Sequence, residues 1–169
     1  MGNPNWATPP EFFERCSRAF GPFDLDAAAT ADIKKCRMYL GPGSPLSEDA
    51  LAGNWPGVGA VWLNPPYVKL RGRPGWQLAW RFEWVGVAES ESANMARTVC
   101  MLLPNDTDTR WFHFLFEVAE IYVTRGRIKF IDPEGGGRCS PRQGHIVAVL
   151  RPPVQGLVRP TGIVGTIDA

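Results

Sequence analysis

Asn64-Pro65-Pro66-Tyr67 is the stretch of this 169-residue chain whose residue types could carry chemistry. It ends a short apolar run, Val61-Trp62-Leu63, and two successive prolines cannot continue a sheet ladder, so a strand must stop there. The prolines also stiffen the backbone, which fixes the directions of the Asn64 amide and the Pro65 carbonyl at small entropic cost on binding. Two convergent acceptors, the Asn64 side-chain oxygen and the Pro65 carbonyl oxygen, match an NH₂ group with two hydrogens to donate. An amino group on an aromatic ring is a poor nucleophile because its lone pair is delocalised. Drawing both hydrogens toward acceptors favours a more tetrahedral nitrogen and turns the lone pair toward an electrophile. That is preorganised electrostatic stabilisation without a formal general base. Tyr67 offers a ring face for stacking on a flat substrate, worth about 1–3 kcal/mol for a base. A turn that merely closes a strand uses the same residue types. A glutamine side-chain amide presents the same NH₂ geometry, so the residues of the turn leave the acceptor open.

The elements around this corner follow from periodicity. Thr8, Pro9 and Glu11 predict a capped helix start, with Pro9 in the first helical position. Phe12, Phe13, Cys16, Ala19 and Phe20 then recur at helical spacing and Gly21 supplies a stop, giving a helix over about 8–20. Phe23-Asp24-Leu25 reads as a short strand ending at Asp26 and the small run Ala27-Ala28-Ala29. A short helix is predicted over 31–40, then a loop over 41–47 leading to Glu48-Asp49-Ala50-Leu51, then a strand over 60–63. The stretch 68–75 has no apolar period and carries Lys69, Arg71 and Arg73, which predicts an exposed loop. Trp76, Trp80 and Trp84 predict an apolar helix fading into the polar residues 89–92. The run 97–103 suits a strand buried on both faces. A helix from about Asp108 to Ala119 and strands near Glu120–Thr124 and Gly144–Leu150 complete the pattern, with a loop over 132–143 and a weakly structured tail over 152–169.

Strands alternating with helices predict one α/β domain spanning 1–169: a mostly parallel sheet, antiparallel pairing toward the C-terminus, and helices on both faces. In such sheets ligands bind outside the carboxyl ends of strands. Asp26 and Asn64 both fall at such ends.

Bulk properties narrow the function classes. With a net charge of +1, 44% hydrophobic and 21% charged residues, the chain is not a polybasic binder, and nucleic-acid contact must come from local clusters. Four scattered cysteines and two histidines show no metal-ligand spacing, so reduced thiols and no metal are expected. No apolar run is long enough for a membrane span, and the first residues lack a secretory pattern. A cytoplasmic protein is the expectation.

Several segments together resemble one family. They are Trp6-x-Thr8-Pro9, Phe23-Asp24-Leu25-Asp26-Ala27-Ala28, Asp49-x-Leu51 with Trp55, Asn64-Pro65-Pro66-Tyr67, LPNDTDT at 103–109, and Arg125-Gly126-Arg127-Ile128-x-Phe130. In this order, from about residue 6 to 130, the set resembles the Dam-like DNA N-6-adenine methyltransferases of phages and prophages. The resemblance implies a compact Rossmann-like class I methyltransferase fold and S-adenosyl-L-methionine as cofactor. It implies double-stranded DNA as partner; the short chain leads to the expectation of no separate target-recognition domain, with sequence specificity either short and loop-encoded or helped by a homodimer. It makes Asn64, Pro65, Pro66 and Tyr67 catalytic. Asp26 would meet the amino group of the methionine moiety, and Ala27 and Ala28 would let the cofactor approach the backbone, although the glycine-rich form of that motif is lacking. Asp26 could equally cap the turn after its strand. Asp49 would accept from the cofactor's adenine, or simply cap a turn. Asp32 is the nominee for the ribose, and Trp6, Thr8 and Pro9 for the segment closing over the methionine end. Lys69, Arg71 and Arg73 would grip DNA; Arg125 and Arg127 would meet phosphates or the target base, or form a solvated basic turn. The alternatives are the same chemistry on RNA adenine, cytosine N4 or protein glutamine, and an inactive DNA-binding relative.

Overall fold

The computed structural model describes residues 6–66 and 81–169. Strand β1 (Phe23–Asp26) is followed by β2 (Met38–Tyr39), a single 3₁₀ turn (Ala50–Ala52) and β3 (Ala60–Leu63). Helix α2 (Arg81–Asn94), β4 (Val99–Pro104), α3 (Arg110–Val118) and β5 (Glu120–Arg125) come next, and helix α1 (Pro10–Phe20) precedes them all. A two-stranded ribbon, β6 (Phe130–Ile131) and β7 (Arg138–Cys139), then leads to β8 (His145–Leu150) and β9 (Gly162–Asp168).

Seven strands form one sheet in the order β2-β1-β3-β4-β8-β5-β9. β1, β2, β3 and β4 are mutually parallel, β9 is parallel to β5, and β8 alone runs antiparallel to both of its neighbours, β4 and β5. The chain moves from β1 to β2 on one side and then to β3 on the other. The direction of winding therefore reverses at β1, which opens a crevice beyond the carboxyl ends of β1 and β3. The expected fold class is the one observed.

Burial on both faces explains why the central strands are continuously apolar. In β4, Val99, Met101 and Leu103 join the layer of Val85 and Ala88 from α2 and of Trp111 and Leu115 from α3. Cys100 and Leu102 point the other way, toward Phe12, Cys16 and Phe20 of α1 and toward Ile128 and Phe130 before and within the ribbon. The apolar stripe of α1 that the sequence shows is thus buried on one sheet face. Cys16, Cys36 and Cys100 are buried free thiols and Cys139 is an exposed one. Among the described residues no helix is long and apolar enough to cross a membrane.

Four local expectations need correcting. Thr8 does not cap α1: Pro9 is the N-cap, no side chain caps it, and Pro10 occupies the first turn. The predicted helix over 31–40 is a turn followed by β2, because Tyr39 and the Leu40 backbone are claimed by the sheet edge, with the Leu40 N–H donating to the Asp26 carbonyl at 2.9 Å. Helix α2 does not fade at 89–92 but runs to Asn94, since Glu91 and Ser92 are buried on its inner side. Trp76 and Trp80 lie outside the described residues. The tail is not unstructured throughout: β9 adds an edge strand whose Ile167 is buried against the α1 face.

Candidate active site

The carboxyl edge of the sheet collects the residues that could do chemistry. Asp26, the last residue of β1, lies in register with Trp62 of β3, and the Ala27 N–H donates to the Trp62 carbonyl at 2.9 Å. Asn64 stands two residues further along, past the end of β3, with Pro65 and Pro66 buried behind it. The sheet therefore brings Asp26 and Asn64 to the mouth of one crevice. Tyr67, Lys69, Arg71 and Arg73 lie outside the described residues.

Asn64 is oriented from an unexpected direction. Its side-chain N–H donates to the hydroxyl oxygen of Thr8 at 3.1 Å. Thr8 is buried, which makes it a fixed acceptor. Giving the amide nitrogen a partner decides which end of the planar amide is oxygen and turns that oxygen away from Thr8. Thr8 is itself anchored by its neighbour: Ala7 and Ile131 exchange two backbone hydrogen bonds, at 2.9 and 3.0 Å. The β6–β7 ribbon thus reaches the corner through Ala7 and Thr8. Trp6 is half-buried against the α1 side of the core, and Pro9 is buried.

Asp26 is buried, with 3% of its surface exposed. One carboxylate oxygen accepts from the Lys35 backbone N–H at 2.9 Å and the other from the Ala28 N–H at 3.4 Å. Burial pushes the carboxyl up to about 6, against the opposing pull of those two N–H groups and of the Lys35 charge. Desolvation dominates, and a further cation at the carboxylate would relieve it. Asp26 does therefore organise the turn after its strand. Ala27, Ala28 and Ala29 are buried, and the Gly41 backbone packs against them: at φ +133°, a Cβ on Gly41 would fall 2.3 Å from the Ala29 carbonyl oxygen. Small residues are required here for close backbone approach.

Asp49 is exposed and caps the 3₁₀ turn, accepting from the Leu51 N–H at 3.0 Å. Trp55 braces the same turn by donating its indole N–H to the Ala50 carbonyl at 2.6 Å, and buried Glu91 accepts from the Trp55 backbone N–H. Asp32 sits in an exposed turn before β2. The acid whose contact reaches the loop after β2 is Glu48, which accepts from the Gly43 N–H.

The segment after β4 remains on the same edge. The Asn105 N–H donates to the Gly144 carbonyl, and Thr109 bonds back to the Asp106 carbonyl, so this stretch is a tied turn leading into α3. Across from it His145 opens β8, in register with Pro104. Periodicity assigns this histidine no role; the structure buries it beside Phe130, with ring centroids 5.1 Å apart. Burial, with the Arg127 charge adding, lowers it to about 4. Arg125 is ion-paired to Asp168 at 2.9 Å, and Arg127 donates to the Pro141 carbonyl at 2.9 Å; both remain exposed. Among the described residues no group of three or more His, Cys, Asp or Glu side chains could hold a metal.

Known proteins share this pattern along most of the chain. A family described as DNA N-6-adenine-methyltransferase (Dam) matches residues 3–168. A protein of Haemophilus phage HP1, named DNA N-6-adenine-methyltransferase, is 33% identical over 151 residues, covering 88% of this chain and 78% of the relative. A protein of Escherichia phage T1 with the same name is 28% identical over 173 residues, covering 92% of this chain and 66% of the relative.

Proposed function

The chain belongs to the DNA N-6-adenine-methyltransferase (Dam) family, and from that premise we propose that it methylates the N6 amino group of adenine in double-stranded DNA, with S-adenosyl-L-methionine as methyl donor. The observation that carries the reading is the Asn64 amide, held by Thr8 at the switch-point crevice that Asp26 also borders.

A paired base cannot present its amino group to a donor in a protein pocket, so the target nucleotide must leave the stack, at a cost of a few kcal/mol. The Asn64 amide oxygen and the Pro65 carbonyl oxygen each take one N6 hydrogen of the extruded adenine. The nitrogen becomes more tetrahedral and its lone pair projects into the crevice. Tyr67 supplies the stacking face. Thr8 keeps the amide from rotating, so the acceptor is in place before the base arrives and no reorganisation is needed at the moment of reaction.

The residues at the crevice suit the donor. S-adenosyl-L-methionine supplies a methyl group on a positively charged sulfur, the electrophile an amine needs. Asp26, a buried carboxylate raised by desolvation, would hold the ammonium of the methionine moiety. Ala27 and Ala28 leave room at the tip of β1, and Asp49 beside the braced 3₁₀ turn would accept from the adenine amino group of the donor. Trp6, Thr8 and Pro9 line the segment that passes over Asn64.

Nucleoside mass spectrometry of DNA from cells expressing the protein, combined with modification-aware sequencing, tests the proposal. N6-methyladenine in a defined sequence context is the expected product. Methyl transfer confined to RNA, cytosine N4 or protein glutamine would overturn it.

A further inference from the structure

The geometry points to the base of the β6–β7 ribbon as a cationic arm that holds duplex DNA beside the catalytic corner, with Lys129 and Arg142 as its phosphate contacts. This assignment rests on DNA being the substrate.

Two ties fix the ribbon to the rest of the molecule, and a third closes its base. Ile131 exchanges two backbone hydrogen bonds with Ala7, whose neighbour Thr8 receives the Asn64 amide N–H. Arg138 of β7 pairs with Glu11 of α1. Arg127 donates to the Pro141 carbonyl, which draws the two ends of the segment together and brings the residue before Arg142 to Arg127. The arm and Asn64 are thus connected through Ala7 and Thr8, and a group bound on the arm is held in register with the corner.

The charges on this arm are divided in use. Arg125 is committed to Asp168 and Arg138 to Glu11, and Arg127 gives a donor to the loop itself. Lys129 and Arg142 are exposed and make no ion pair or side-chain hydrogen bond among the described residues. The acids of the arm, Asp132 and Glu134, lie in the turn between β6 and β7, where Asp132 accepts from the Glu134 N–H. Phosphate contact is therefore assigned to the base of the arm and not to its acidic turn. Burial of Phe130 and Ile128 keeps the residues on either side of Lys129 in place, so its stem starts from a rigid backbone. In a chain of net charge +1, two uncommitted cations on one braced segment are the kind of local cluster that phosphate binding needs.

Titration of a fluorescent mixed-sequence duplex over a range of salt concentrations tests the arm in the full-length protein. For the double variant Lys129→Ala/Arg142→Ala, the slope of log affinity against log salt should shrink by about 1.8, near 0.9 for each phosphate no longer neutralised. Cofactor affinity and thermal midpoint should stay at wild-type values, as both side chains are exposed. The charge-keeping pair Lys129→Arg/Arg142→Lys should restore the slope. A wild type that methylates DNA adenine together with a double variant of unchanged DNA affinity and slope would overturn the arm alone. A wild type that neither binds duplex DNA nor methylates adenine would overturn the functional reading beneath it as well.

Discussion

A hydrogen bond between residues 56 positions apart ties the Asn64 amide to Thr8. Asn64→Ala should abolish turnover in a methyl-transfer assay while leaving calorimetric cofactor affinity nearly unchanged, because in the proposed mechanism the amide acts on the acceptor amine. Thr8→Val removes the hydroxyl that holds the amide yet keeps the shape. It should lower kcat by roughly tenfold or more with little change in cofactor affinity, and Thr8→Ser should recover the rate. An unaltered Thr8→Val rate would show that the amide needs no external support. Asp26→Ala should lose the cofactor. In the wild type, cofactor affinity should fall as pH drops below about 6, where the carboxyl protonates and can no longer pair with an ammonium. The strand end at Asn64-Pro65-Pro66 was legible because it depends on residue types in immediate succession. The Thr8 bond was not, since Thr8 is also a good helix cap and nothing local separates the two uses.

Elements were legible where burial is continuous and misread where tertiary pairing overrides local preference. The four residues of β3 and the apolar run of β4 declare themselves by composition alone. β2 does not: two residues, Met38 and Tyr39, become a strand only because β1 offers an edge. β9 hides likewise, with two glycines, a register irregularity opposite Ile121 and Tyr122, and exposed Ile163 and Val164 obscuring any alternation. Its contribution can be measured. Ile167→Ala, at a position 7% exposed, should cost about 2–3 kcal/mol in urea unfolding, whereas Ile163→Ala, 56% exposed, should cost little. Equal effects would mean that the last strand does not pack as described. Helix α2 passes through its polar stretch because hydrogen bonds tie that stretch to the neighbouring segment: Glu91 accepts from Trp55, and buried Arg97 donates to the carbonyls of Trp55, Pro56 and Gly57. A polar patch in sequence is here an inward-facing network.

For the molecule as a whole, two buried titratable groups set opposing pH limbs. The folded-state value of Asp26, about 6, lies above its ordinary 3.8, so its contribution to stability is complete below about 3.8 and is lost as pH rises through 6. His145, at about 4 against an ordinary 6.5, contributes above 6.5 and loses that contribution as pH falls through 4. Thermal midpoints measured against pH should show this: Asp26→Asn should gain on wild type at pH 8 and lose that advantage toward pH 4, and His145→Gln should flatten the decline between 6.5 and 4. The alternation of strands and helices made the α/β class readable in advance; strand order was not, because a strand's pattern does not say which neighbour it will choose. That order has a consequence for synthesis. β4 and β5 follow one another in the chain with only α3 between them, yet β8 separates them in the sheet. A nascent chain leaving the ribosome must hold both strands with their facing edges unpaired until residues 145–150 emerge. Closure of the sheet is therefore a late event, and codon choice or a pause before that point would lengthen the interval in which two apolar edges are open to aggregation.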